Sequence, residues 1–160
     1  LKKKLNYYNQ ADQQFPFICL VDLDANPCPV DYLGELLPEN PHADFLLRIA
    51  VKTLEAWIIA GRKMFAAFVN APENKLPSNP ENEVNLKQTI VKLVRRYGNK
   101  ELKRDMVPAK GSSGVVGNAY TTQIIRFIET QWRLEVAKTN APSLQRACHA
   151  FERLIAEKQS

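Results

Sequence analysis

The sequence predicts an α/β fold: a mostly parallel sheet flanked by helices, followed by a helical C-terminal half. Three observations lead there. A continuous apolar run, Phe15-Pro16-Phe17-Ile18-Cys19-Leu20-Val21, ends abruptly at Asp22. A second run, Phe45-Leu46-Leu47-Arg48-Ile49-Ala50-Val51, follows after a short intervening segment. Beyond it, apolar residues recur at helical spacing almost to the end of the chain. Continuous apolar strands are the pattern of parallel sheets covered on both faces.

Residues 1–8 read as the tail of a helix, and 9–14 as a polar turn leading into the first strand. That strand stops at Asp24-Ala25-Asn26-Pro27, a sequence suited to a turn. A short helix is expected over 30–37, halted before Pro38, and the Pro38-Glu39-Asn40-Pro41-His42 run then turns the chain. After the second strand, Thr53 is placed to cap a helix running to about residue 70, with Glu55 in its first turn facing the helix dipole. This helix carries Leu54, Trp57, Ile58, Ile59, Met64, Phe65 and Phe68, apolar almost all round and so expected to be buried. Residues 71–83, rich in Pro, Asn and Glu, read as an exposed loop.

A basic amphipathic helix follows, with Leu86, Ile90, Leu93 and Val94 on one stripe and Lys87, Lys92, Arg95 and Arg96 elsewhere. Residues 100–117 are expected to be mostly irregular. Tyr120, Ile124, Phe127 and Ile128 mark a further helix to about Trp132. Pro142 and Ser143 open a last one, with Leu144, Cys148, Phe151 and Ile155 on one side. With 160 residues, the chain suits one domain of 1–160 with a mostly helical part over 71–160. Two clear strands are few for a parallel sheet, which points to strands hidden in irregular stretches or to a missing N-terminal strand.

Composition narrows the classes. Hydrophobic residues make up 45% and charged residues 24%, ordinary values for a globular domain. No apolar run is long enough to span a bilayer and no signal peptide precedes the fold, so a cytoplasmic protein without a membrane partner is expected. Cys19, Cys28 and Cys148 match no zinc spacing, and His42 and His149 stand apart. Reduced, structural cysteines follow, Cys19 acting as a small hydrophobe. A net charge of +5 and a pI near 9.2 favour acidic partners, nucleic acid before anionic small molecules.

The strongest candidate for chemistry is acidic. Asp22 and Asp24 lie two residues apart at a strand end, which places them on one side of an extended strand. Ligand sites of parallel sheets lie beyond the carboxyl ends of their strands. Paired carboxylates there suit Mg²⁺ or Mn²⁺, which keep water and meet phosphates. Glu55 joins them if the two strands are neighbours, holding a metal-bound water or acting as a base. A plain turn at 24–27 and a dipole-matched Glu55 account for the same residues without chemistry. Lys110-Gly111-Ser112-Ser113-Gly114 resembles a phosphate loop in composition only, since the Walker order is absent.

Leu20-Val21-Asp22-Leu23-Asp24, then Glu55-Ala56-Trp57-Ile58-Ile59-Ala60, Pro80-Glu81 before Leu86-Lys87, and Ser143-Leu144-Gln145-Arg146 together resemble the TOPRIM-like family of uncharacterised bacterial proteins. That group is similar to the acidic domain of overcoming-lysogenization-defect nucleases, and many members sit beside ATPase partners in phage-defence loci. The resemblance runs from Phe17 onward. It implies a TOPRIM-like, Rossmann-like fold and Mg²⁺-dependent phosphodiester chemistry. Asp22 and Asp24 would be metal ligands, Asp22 and Glu55 catalytic, and Lys87, Arg104 and Lys110 phosphate-binding. One departure matters: residues 1–34 contain no glutamate, so the upstream strand-end Glu of the TOPRIM pattern has no counterpart. Either the chain is trimmed, or the site is incomplete and the domain is a non-catalytic module docking on an ATPase. A small-molecule phosphotransferase or phosphatase is a third reading, requiring a concave pocket near Asp22. Homo-oligomerisation stays open.

Overall fold

In a computed structural model, which describes residues 1–11 and 16–159, the elements are, in chain order, α1 (Lys2–Gln10), β1 (Phe17–Asp22), α2 (Pro29–Leu36), β2 (Phe45–Ala50), α3 (Leu54–Ile59), α4 (Arg62–Phe68), α5 (Leu86–Tyr97), α6 (Lys100–Met106), α7 (Tyr120–Thr130), α8 (Leu134–Ala137) and α9 (Pro142–Gln159). Part of the expected polar turn over 9–14, and Phe15 of the first apolar run, lie outside the described residues. The chain divides into two compact units, one of Leu1–Leu54 with Ser143–Ser160 and one of Glu55–Pro142. No helix among the described residues is long and apolar enough to cross a membrane.

The first unit holds the α/β part. β1 and β2 pair in parallel, from Phe17 opposite Phe45 to Asp22 opposite Ala50. A parallel pair needs a crossover, and α2 supplies it. Pro29 begins α2, where its missing N–H costs nothing. The core gathers Leu5 of α1, Leu23, Leu36 and the inward residues Phe45, Leu47 and Ile49 of β2. Helix α9 buries Leu144, Ala147, Cys148, Ala150 and Leu154, besides Ser143 in its first turn. Its Ile155, expected on one side with Leu144, Cys148 and Phe151, is 57% exposed.

Burial of β1 on both faces does not hold. Phe17, Cys19 and Val21 pack against the core, but Ile18 and Leu20 remain 48% and 40% exposed. Successive side chains alternate between faces, so a strand can be apolar throughout while only one face is covered. Cys19 is half-buried, and that burial raises its thiol pKa.

The second unit is helical. Phe65, Val69, Ile90, Val94, Met106 and Phe127 are among its most enclosed side chains. The long helix expected over 53–70 is instead two short ones, since Gly61 interrupts it and its carbonyl accepts the first N–H groups of α4, from Met64 and Phe65. Thr53 does not cap α3: its hydroxyl is buried without a hydrogen-bond partner among the described residues, and the N–H of Leu54 donates to Asp22 Oδ1 instead. Residues 71–83 form more than an exposed loop. Single 3-10 turns at Glu73–Lys75 and Pro80–Asn82 bury Leu76, Pro80 and Glu81. The stretch 100–117, expected to be irregular, begins with α6, whose Leu102 N–H donates to the Asn99 side chain at 2.8 Å. Asn99 is the side-chain cap that starts this helix, and Lys, Glu, Leu and Arg then sustain it.

Candidate functional site

The carboxyl end of β1 is built in three steps. Asp22 closes the strand, half-buried, and its Oδ1 accepts the Leu54 N–H at 2.8 Å. This fixes one carboxylate oxygen and places negative charge at the start of α3, where the helix dipole favours it. Leu23 then donates its N–H to Ala50 O at 2.9 Å while its side chain enters the core. Asp24 donates to Lys52 O at 2.8 Å and turns left-handed, with φ of 50° opposite a φ of 61° at Lys52. Left-handed conformations are costly for residues other than glycine, though Asp tolerates them better than most. Asn26 steadies the turn by donating from its side chain to Leu23 O at 2.9 Å.

Strand alternation therefore stops at Asp22. Asp24 is exposed and is placed by the turn, not by the pleat that the spacing argument assumed.

Glu55 belongs to the second unit and is almost fully enclosed, 9% exposed. Its Oε1 lies 3.4 Å from Lys87 Nζ, which is half exposed. Tyr120 is near enough to feel it. Burial first, and the Glu55 charge second, push the Tyr120 hydroxyl pKa well above its usual value, so the phenol stays protonated. That hydroxyl is buried without a hydrogen-bond partner among the described residues. Two residues assigned separate roles by sequence, an acid and a phosphate-binding cation, are thus an ion pair. Replacing Lys87 with Gln is expected to cost about 1 kcal/mol, the upper range for a pair open to solvent on one side. The loss should shrink when Glu55 is already Gln, a coupling readable from urea unfolding of the two single variants and the double variant.

Arg104, the second cation, donates through Nε to Asp105 Oδ1 at 2.7 Å. Gln123, buried on α7, donates to the other Asp105 oxygen at 2.6 Å. The hydrogen bond from Arg104, then that from Gln123, holds the Asp105 carboxyl below its usual pKa. A depressed carboxyl contributes stability above its unfolded pKa and loses it as pH falls through the folded one. The bond from Gln123 to Asp105 ties α7 to α6, and Arg104 holds the same carboxylate from within α6. Lys110 stays exposed beside the left-handed Gly111, whose φ is 86°.

Among the described residues, no group of three or more His, Cys, Asp or Glu side chains is arranged to hold a metal. What the sequence reading overlooked lies in the first unit. A groove of about 950 Å³ runs beside β2, α2 and α9, with Arg48, Arg146, His149 and Arg153 on its lining. The signal was present in the sequence, since 146, 149 and 153 recur at the spacing of one helix face. No known protein family, curated protein or solved structure matches the chain.

Proposed function

We propose that the chain is a TOPRIM-like domain that binds Mg²⁺ or Mn²⁺ at the carboxyl end of β1 and acts on nucleic-acid phosphodiesters. The observation that carries this reading is the setting of Asp22: a half-buried carboxylate at the end of a parallel strand, oriented by its bond to the Leu54 N–H. Asp24 follows on an exposed turn. Two hard oxygen donors fit a cation that keeps several of its waters, and they fit softer metals poorly. When bound, such an ion neutralises charge on a phosphoryl oxygen and activates water. Asp22 would hold the ion from a fixed position, and Asp24 from an adjustable one. The basic balance of the chain favours a polyanionic substrate.

A second reading, a non-catalytic module docking on an ATPase, is favoured by one specific observation. Glu55 and Arg104, assigned to chemistry, are each engaged in an ion pair within the helical unit.

Calorimetric titration with Mg²⁺ and Mn²⁺ separates the two. Asp22→Asn removes the charge but keeps an oxygen to accept the Leu54 N–H, so the fold should persist. Metal binding and cleavage of a nucleic-acid substrate should both vanish in the variant. Absence of binding to the unmodified chain sinks the cation reading and leaves the docking module.

A further inference from the structure

Arg48 occupies an unusual position for an arginine. It lies in the middle of β2, opposite Leu20, half-buried among apolar strand residues. Among the described residues, one of its five donors is used, Nη1 to the neighbouring Leu47 carbonyl at 2.7 Å. Burial, and behind it the positive charge of Arg153, both lower its pKa. Arginine nonetheless stays protonated in proteins, so the charge remains and is poorly compensated. Arg146, His149 and Arg153 approach the same groove from consecutive turns of α9. Glu152 is the one carboxylate on the lining, and among the described residues none of the three arginines forms an ion pair. A groove that collects three arginines around a single carboxylate, with none of the three paired to it, is arranged for an anion.

Its form says which kind. One guanidinium suffices for a carboxylate, whereas three converging forks match a group with several charged oxygens. The other wall is apolar, with Pro29, Val30 and Leu33 of α2, and Val30 is 72% exposed. About 950 Å³ is far more than a bare phosphate fills and lies within the range of small-molecule sites. Surfaces that track single strands add aromatic platforms for stacking, and among the described residues no Phe, Tyr or Trp lines this groove.

We propose that this groove binds a small phosphorylated molecule, its phosphate held by Arg48, Arg146 and Arg153 and its less polar body laid on Pro29, Val30 and Leu33. The site uses neither Asp22 nor Asp24 and stands apart from the divalent-cation reading.

The test is calorimetry at fixed ionic strength with a chelator present, using inorganic pyrophosphate, adenosine diphosphate, adenosine and a short single-stranded oligonucleotide. Pyrophosphate and the diphosphate should bind, and adenosine should not. Arg146→Gln and Arg153→Gln, both exposed on α9 and so safe for folding, should each weaken diphosphate binding about tenfold or more. Arg153→Lys should recover part of the loss, because charge returns without the fork. Asp22→Asn should bind the diphosphate as the unmodified chain does, so failure here and failure of the cation site read out separately. The proposal is overturned if neither pyrophosphate nor the diphosphate binds, or if adenosine binds equally well. Unchanged affinity in both glutamine variants, or binding of the oligonucleotide alone, overturns it as well.

Discussion

Phe127→Ala is expected to lower the unfolding free energy by about 3–5 kcal/mol, the usual cost of emptying a buried aromatic site. Phe127 has no exposed surface, and its ring stands edge-on to Phe65 at 5.1 Å between centroids. Phe68 approaches it at 5.2 Å. Truncation removes both ring contacts and leaves a void walled by side chains from α4 and its neighbours. Total stabilities of domains are about 5–15 kcal/mol, so such a loss approaches the whole margin. Phe127→Leu keeps most of the volume and should cost less than half as much. Denaturant unfolding followed by far-ultraviolet dichroism gives both numbers. An alanine variant within about 1 kcal/mol of the parent would mean that this aromatic cluster is not the centre of the helical core.

Gly117→Ala is the second large effect, and its cause is contact with backbone. A Cβ at this position would lie 2.4 Å from Asp105 O and 2.8 Å from Met106 C. Neither atom can rotate away as a side chain could. The same stretch is held by Gly117 N–H to Met106 O at 2.9 Å and Ala119 N–H to Asp105 O at 3.0 Å. These bonds seat the start of α7 on the end of α6. Adding a methyl group forces the two apart, at a cost of about 1–3 kcal/mol or more. Amide exchange of Gly117 and Ala119 should accelerate in the variant. Protection equal to that of the parent would show that the approach is looser than these distances imply.

Much of the scaffold was legible in the sequence, because apolar periodicity reports burial directly. Both strands fall within a residue or two of their apolar runs, and α5 follows its stripe of Leu86, Ile90, Leu93 and Val94. The coarse α/β class follows from the same two runs and the parallel pairing of their strands. What escaped depends on contacts distant in sequence. Nothing local reveals that Asp22 would take the N–H of Leu54, thirty-two positions on, and so displace Thr53 as the cap. The break at Gly61 hides inside a segment whose apolar residues resume at Met64 after only Gly61-Arg62-Lys63. Glu55 and Lys87 looked like separate functional groups because pairing across that separation has no spacing rule. The acidic pair drew attention because two carboxylates stand adjacent in the sequence. The arginine groove did not, since one of its members sits in a strand about a hundred positions before the others, among residues that read as core.

The discontinuity of the first unit bears on how the chain is made. A ribosome releases Glu55–Pro142 as one uninterrupted stretch, so that unit can reach its final packing while synthesis continues. The other unit must wait, because α9 is the last of its elements to emerge and supplies six of its buried residues. The bond from Val51 N–H to Ser143 Oγ spans ninety-two positions and cannot form earlier. Until then, β1 and β2 lack the α9 side chains that line the grooves beside Ile18 and Arg48. Chains truncated just before Ser143 and released from the ribosome should accordingly resist protease in the helical unit while the earlier-encoded strands are cut, inverting the order in which the two were translated.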